Sequence, residues 1–128
     1  MVLTNSSKVY IHGNTISGNG ENGIYVSDKV NNVDYGTSEN IYISSNAISK
    51  NTENGVYIYK AGDNININGN SIVSNTLSGI SLTAIGDNKI QSNEISNNAY
   101  VGIKFNDDYV KPKNQDINYN ALIKNGHV

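Results

Sequence analysis

Residues 46–51 read NAISKN, and the same six-residue frame occurs four more times along the chain. It is found as NTISGN at 14, NSIVSN at 70, NEISNN at 93 and NALIKN at 120. In every copy two asparagines stand five residues apart, and an aliphatic residue follows the first asparagine by two. The copies are separated by 32, 24, 23 and 27 residues. A sequence period in the twenties is typical of a solenoid.

The composition favours strands and turns over helices. Of the 128 residues, 24 are Asn and 17 are Ile, whereas only four are Leu. Isoleucine is stiff at χ1 and suits a pleated surface, and asparagine is favoured in tight turns. The chain has no Cys, which excludes a disulfide framework and thiol chemistry. We therefore expect an all-β fold in one domain covering residues 1–128.

The repeat predicts three short strands per copy. The first begins at a glycine nine residues after the first asparagine, as in GIYV at 23, GVYI at 55, GISL at 79 and GIKF at 102. Its apolar residues alternate with Tyr25, Tyr57, Ser81 and Lys104, so these four are expected on the outer face. The second strand ends just before the frame, and the third is centred on the aliphatic residue within it. In the last two copies one inward position of the second strand is polar, Asn88 and Gln115.

Three such strands cannot bury their isoleucines alone, but stacked coils can. The sequence therefore predicts a parallel β-helix of about five coils, in which equivalent residues form ladders one strand spacing apart, roughly 4.8 Å. We expect the two asparagines to form ladders at the bends on either side of the third strand. Their amides would bond the coils above and below, in left-handed backbone.

The pattern N-x-I-x-x-N-x-x-x-G-I resembles the right-handed parallel β-helix repeats of the pectin lyase-like superfamily. It is also similar to carbohydrate-binding and sugar-hydrolase modules of bacterial and archaeal surface proteins. The resemblance extends from residue 3 to residue 125. It implies that the outer face of the first sheet and its flanking loops form a groove for polysaccharide, in a protein that is extracellular, on the cell surface or on a virion. Members include lyases, hydrolases, epimerases, phage tailspikes and noncatalytic modules.

The sequence shows no cap at either end of the predicted stack. Val2 aligns with Tyr25, which places the beginning of the chain inside a first-sheet strand, and no amphipathic helix precedes it. A solenoid needs polar terminal caps to stay unassociated. We therefore expect a segment of a longer β-helix lacking its caps, or end-to-end stacking with further coils or subunits.

Evidence for catalysis in the sequence is weak. Two long loops, at 27–40 and 106–114, are expected beside the first sheet, and the second contains the adjacent carboxylates Asp107 and Asp108. Paired carboxylates serve glycoside hydrolysis, although adjacent acids in a turn are more often simply solvated. The chain lacks the Gly-His-Gly and Arg-x-Lys motifs of polygalacturonases and the Asp-Pro-His-Asp stretch of epimerases. Asp107 and Asp108 are therefore only weak catalytic candidates.

No cofactor or metal is expected. The only two histidines, His12 and His127, have no neighbours at the spacing of metal ligands. The net charge is −2 and the nine basic residues are scattered, so neither nucleic acid nor a membrane is an expected partner.

The tyrosines are the better candidates for ligand contact. Tyr25 and Tyr57 are predicted to stack on the outer face, with Tyr59 after them, Lys104 in the same column and Tyr35 on the first long loop. A phenol offers an apolar face for sugar C–H groups and a polar tip for hydroxyls. The plainer interpretation is that exposed tyrosine simply suits a strand.

Three functions are compatible with these features. The first is a polysaccharide-recognising segment of a larger carbohydrate-active protein. The second is an active polysaccharide lyase, hydrolase or epimerase that uses loop carboxylates. The third is a structural stalk or assembly module without a ligand.

Overall fold

The computed structural model describes residues 1–61, 63–84, 86–106 and 116–126. These ranges contain seventeen strands and no helix, so the structure confirms the all-β fold. None of these residues belongs to a segment that could cross a membrane as a helix. In chain order the strands are β1 (Val2–Leu3), β2 (Ser7–His12), β3 (Thr15–Ser17), β4 (Ile24–Ser27), β5 (Lys29–Val30), β6 (Val33–Asp34), β7 (Glu39–Ser44), β8 (Ala47–Ser49), β9 (Val56–Ala61), β10 (Ile65–Asn68), β11 (Ser71–Val73), β12 (Ile80–Ala84), β13 (Asn88–Gln91), β14 (Glu94–Ser96), β15 (Ile103–Phe105), β16 (Asp116–Asn118) and β17 (Ala121–Ile123).

Fifteen of these strands form three parallel sheets of five strands each. The first sheet has the order β1-β4-β9-β12-β15, the second β2-β7-β10-β13-β16, and the third β3-β8-β11-β14-β17. Each full turn of the chain adds one strand to every sheet, which confirms a parallel solenoid of about five coils. The remaining two strands, β5 and β6, pair antiparallel as a hairpin within the long loop 27–40.

The core is a column of stacked aliphatic side chains between the three sheets. In the second sheet, Ile41 aligns with Ile65, and in the third sheet Ile48 aligns with Ile72. These side chains are at most 1% exposed. Phe105 and Leu122, in the last described strands, are 40% and 55% exposed because no described coil packs over them.

One polar residue is buried in this core, as the sequence predicts. Asn88 aligns with Ile65 and is 2% exposed. Its amide oxygen accepts from the Ile65 backbone N–H at 3.0 Å, and its amide nitrogen donates to the Gly86 carbonyl at 2.8 Å. Burial is tolerated because the amide is paired on both sides. The corresponding Gln115 lies outside the described residues.

Two asparagine ladders run along the stack, as predicted. In the first, Asn46 donates from its backbone N–H and from its side-chain Nδ2 to Asn70 Oδ1, both at 3.0 Å. Asn70 repeats the pattern to Asn93 Oδ1, at 2.9 and 3.0 Å. The second proton of Asn70 Nδ2 goes to the Ile43 carbonyl of the preceding coil, at 2.8 Å. Each interior amide therefore uses both protons and both lone pairs, which no other side chain of this size can do.

The ladders have a direction. In the second ladder Asn51 donates to Asn75 Oδ1, and Asn75 donates to Asn98 Oδ1. As in the first ladder, every hydrogen bond to an amide oxygen of the ladder runs from one coil to the coil that follows it in sequence. The oxygens of every coil therefore serve the coil that precedes it.

Left-handed backbone is present in these bends, but it occurs one residue earlier than expected. In the first bend the positive φ angles belong to the residue before each ladder asparagine: Gly13 (69°), Ser45 (55°), Gly69 (67°), Ser92 (55°) and Tyr119 (58°). The second bend has the same offset, as at Lys50 and Ser74. The left-handed residue turns the chain with its side chain exposed, whereas the next residue directs its amide inward. The hydrogen bonds of the amide, and not a preference for left-handed backbone, therefore explain the asparagine at these positions.

The glycine that precedes each first-sheet strand is required by close packing. A Cβ atom at Gly79 would lie 2.4 Å from Ile95 Cγ2 and 2.9 Å from Asn98 Nδ2. The φ angle of Gly79 is not positive, so the constraint is space and not backbone strain. The glycine column is where the backbone approaches the second ladder and the core of the next coil.

A third, shorter ladder was not predicted. Asn54 donates from its backbone N–H and Nδ2 to Asn22 Oδ1, at 3.1 and 3.0 Å. The Ser78 N–H donates to Asn54 Oδ1 at 3.0 Å. This ladder lies one residue before the glycine column, and its donors point toward the preceding coil.

Candidate functional site

A groove of about 340 Å³ lies on the outer face of the first sheet. Its floor is formed by Ser81 and Thr83 of β12, each 5% exposed. These small side chains stand between the tyrosines of β9 on one side and Lys104 of β15 on the other, because neighbouring coils place β9, β12 and β15 side by side. The groove exists because the small side chains of β12 lie between the large side chains of β9 and the long side chain of Lys104.

The tyrosine wall is ordered by stacking. The rings of Tyr25 and Tyr57 lie 5.1 Å apart at an interplanar angle of 12°. Tyr59 lies next to Tyr57 on the same strand, with ring centroids 6.1 Å apart and planes tilted by 54°. The Lys60 ammonium lies 5.4 Å from the Tyr59 ring centroid. Two aromatic rings at different angles thus form one side of the groove.

Among the described residues, the charged side chains that line the groove are Lys104 on the opposite wall and Glu53 on one rim. The Lys104 ammonium lies 5.3 Å from the Tyr100 ring centroid, within the range of a cation–π contact. At the strand end Asn106 Nδ2 donates to Ser81 Oγ at 3.0 Å, which joins this wall to the floor. Glu53 on the rim accepts from Asn22 Nδ2 at 2.7 Å.

Backbone hydrogen bonds hold the rim in place. The Leu77 N–H donates to the Glu53 carbonyl and the Tyr100 N–H to the Leu77 carbonyl, both at 3.0 Å. Glu53, Leu77 and Tyr100 therefore form a column beside the first sheet, with one residue from each of three coils. Leu77 and Tyr100 are each 42% exposed, which gives the groove an apolar edge.

The structure brings together most of the residues that the sequence singled out for ligand contact. Tyr57, Tyr59 and Lys104 line the groove, and Tyr25 stacks on Tyr57 at its end. Tyr35 follows the β5–β6 hairpin, is 50% exposed, and is not among the side chains that line the groove. Its role in ligand contact stays a prediction.

The catalytic candidates Asp107 and Asp108 lie outside the described residues. Whether they act in catalysis or are simply solvated is therefore not tested by the structure. Within the described ranges, no three His, Cys, Asp or Glu side chains are grouped as a metal site would require.

Sequence reasoning missed the floor and rim as parts of one site. Ser81 was assigned to the outer face, but neither it nor Thr83 was recognised as the low point between two walls. Glu53, Leu77 and Tyr100 occupy the same position of the repeat, seven residues after the first asparagine of the frame. Their residue type differs between these three coils, so the periodic pattern did not mark them. The sequence did contain one signal for the groove. The outward side chains of three successive coils change from the large Tyr57 to the small Ser81 to the long Lys104.

Comparison with known families agrees with this architecture. The family model described as a right-handed β-helix region matches residues 1–128. The chain belongs to the right-handed β-helix family. No curated protein and no solved structure matches it significantly.

Membership in the right-handed β-helix family establishes the handedness of the coil and is consistent with the pectin lyase-like superfamily. It does not establish a substrate, because β-helices with the same repeat carry many functions. The groove on the first sheet is therefore judged by its own chemistry.

Proposed function

We propose that this β-helix is a polysaccharide-recognising segment of a larger carbohydrate-active protein that works outside the cell, at a cell surface or on a virion. The observation that carries the proposal is the groove on the first sheet, with an aromatic wall, a hydroxyl floor and an ammonium group opposite. An oligosaccharide ring would stack on Tyr57 or Tyr59, and its hydroxyls would exchange hydrogen bonds with Ser81 and Thr83.

The chemistry of the groove supports a sugar better than an apolar ligand. Its lining side chains come from three neighbouring coils, so a chain of linked sugar units would contact several coils at once. The floor is built from the hydroxyl groups of Ser81 and Thr83. The Ser81 oxygen already accepts from Asn106 Nδ2, and its proton can be donated to a sugar hydroxyl, which an apolar ligand does not offer. Lys104 can donate to a ring hydroxyl or to a carboxylate oxygen.

The first test is binding to a glycan array that carries neutral and uronate oligosaccharides. The Tyr57→Ala variant is expected to bind the recognised saccharides about fivefold more weakly, since one ring contact of this kind is worth about 1 kcal/mol. The Tyr119→Ala variant is the matched control, because Tyr119 is 89% exposed and lies outside the groove. Equal binding by the wild type and Tyr57→Ala would reject the groove as the site.

A second candidate function is end-to-end stacking with further coils or subunits, and the direction of the ladders favours it. Among the described residues, no donor reaches Asn14 Oδ1 and no acceptor receives the Asn120 N–H. In the first ladder, one end of the described stack thus offers an acceptor and the other end offers a donor, in matching positions. Stacking would be head to tail.

Sedimentation velocity tests whether second copies stack. The sedimentation coefficient of the wild type should rise with concentration, and Leu122→Glu should suppress the rise because Leu122 is 55% exposed at the donor end. Tyr119→Glu should leave it unchanged. A wild type that stays monomeric at high concentration would exclude association between copies.

A further inference from the structure

The outer face of the second sheet carries a tyrosine stack of its own. The rings of Tyr10 and Tyr42 lie 4.8 Å apart at an interplanar angle of 8°. Beside them is a recess of about 320 Å³, separate from the groove on the first sheet. Its lining side chains are Tyr10, Tyr42, Ser44, Asn66, Asn68, Lys89 and Gln91.

The two outer faces carry the same order of side chains along the stack. On the second sheet the aligned residues are Tyr10, Tyr42, Asn66 and Lys89. On the first sheet they are Tyr25, Tyr57, Ser81 and Lys104. Each face thus has two stacked tyrosines, then a smaller polar residue, then a lysine. Two strand spacings, roughly 10 Å, separate the second tyrosine from the lysine, which is room for a sugar ring between them.

Neighbouring side chains hold the polar groups of the second-sheet recess in place. Asn64 Nδ2 donates to the Tyr42 hydroxyl at 3.0 Å, which fixes the direction of that hydroxyl. Asn66 Nδ2 donates to Asn64 Oδ1 at 2.7 Å, and Gln91 Nε2 donates to Asp116 Oδ2 at 2.8 Å. Groups that are already oriented lose less conformational freedom when a ligand binds.

We propose that this recess is a second saccharide-binding site, which takes a pyranose oligosaccharide. The sugar ring would pack beside the Tyr42 ring over Asn66. Its hydroxyls would pair with the amides of Asn66 and Gln91, and Lys89 would donate to a hydroxyl or a uronate carboxylate. The proposal rests on the proposed function for the ligand class alone, since its geometry is independent of the first sheet. One chain then has two glycan sites on different faces.

The experiment is a titration of the intact, isotope-labelled chain followed by two-dimensional NMR. The probes are a neutral glucan tetrasaccharide and tetragalacturonate. Side-chain amide signals of Asn66 and Gln91 report on the second-sheet recess, and the backbone amides of Ser81 and Thr83 report on the groove of the first sheet. We expect both sets to shift saturably with the same probe.

Variants separate the two sites. Tyr42→Ala should weaken binding at the second-sheet reporters at least tenfold and leave the first-sheet titration unchanged, and Tyr57→Ala should do the reverse. Tyr42→Phe, which keeps the ring, should retain most of the affinity, and the spectrum of each variant shows whether it is folded. Lys89→Gln should weaken tetragalacturonate more than the glucan if the lysine pairs with a carboxylate.

The outcomes distinguish this inference from the proposed function. Shifts at the first-sheet reporters alone, or a second-sheet titration unaffected by Tyr42→Ala, would overturn the second site and leave the first. Shifts at the second-sheet reporters alone would support the second site and reject the first. Silence of both sets with both probes would overturn both.

Discussion

Replacing Asn70 by alanine tests the ladder at its centre. Asn70 is 2% exposed, and its Oδ1 accepts from both the backbone N–H and the Nδ2 of Asn46. In Asn70→Ala these two buried donors lose their acceptor. In the wild type, Asn70 Nδ2 also donates to the Ile43 carbonyl, and the variant leaves that carbonyl without this partner. Leaving a buried donor unpaired costs about 1–3 kcal/mol, so the two donors together imply a loss of about 2–6 kcal/mol in the free energy of unfolding. This is a large part of the 5–15 kcal/mol that is typical of a domain.

The matched control is Asn14→Ala in the same ladder. Asn14 is exposed and, within the described residues, only donates. Asn14→Ala removes the Nδ2 donor but keeps the backbone N–H, so only one of the two hydrogen bonds to Asn46 Oδ1 is lost. Because Asn46 Oδ1 keeps one donor, we expect a loss below about 1 kcal/mol in the free energy of unfolding. Urea denaturation followed by circular dichroism measures both variants. If Asn70→Ala and Asn14→Ala destabilise the protein equally, the argument from buried donors is wrong.

Three further changes test the packing. Gly79→Ala should lower the free energy of unfolding by about 1–3 kcal/mol because the added methyl overlaps the next coil. Gly20→Ala, with open space around it, should lower it much less. Equal melting temperatures of the two variants would contradict the close packing at Gly79. Ile72→Ala should cost about 2–5 kcal/mol and Ile16→Ala less, since Ile72 is fully buried and Ile16 only partly, and urea midpoints would show the difference. Asn54→Ala should lower the free energy of unfolding by about 1–3 kcal/mol, because the Ser78 backbone N–H loses its acceptor in the third ladder. An unchanged melting temperature would mean that this ladder contributes nothing to stability.

The fold was predictable because it repeats. Each inward isoleucine and each ladder asparagine recurs in nearly every coil, so a position such as Asn70 is specified by its equivalents as well as by its own neighbours. The positions of the left-handed residues were harder to predict from the sequence. The tolerance of asparagine for left-handed backbone pointed to the ladder residues themselves. Ser45 and Lys50, whose residue types are not enriched in that conformation, adopt it instead.

The candidate site was predictable only in part, because a groove depends on differences between coils and not on their similarity. Tyr57 and Lys104 could be placed on one face by alternation alone. The rim residues Leu77 and Tyr100 lie in a bend where no column of identical residues marks them. The third ladder was missed for a related reason: it joins Asn22 and Asn54 to a serine, so its residue type changes within three coils.

The direction of the asparagine ladders makes a whole coil an interchangeable unit. Residues 47–70, for example, begin just after one ladder asparagine and end on the next, so their removal would bring Asn46 against Asn93 with donors again facing an acceptor. A tandem duplication of the same stretch would preserve the pairing as well. Gain or loss of complete repeats is thus compatible with these ladders, whereas gain or loss of one or two residues within a frame would displace an amide from its partners. A gene encoding such a chain can change the length of the stack, and with it the length of any surface along its side, without redesigning its interior.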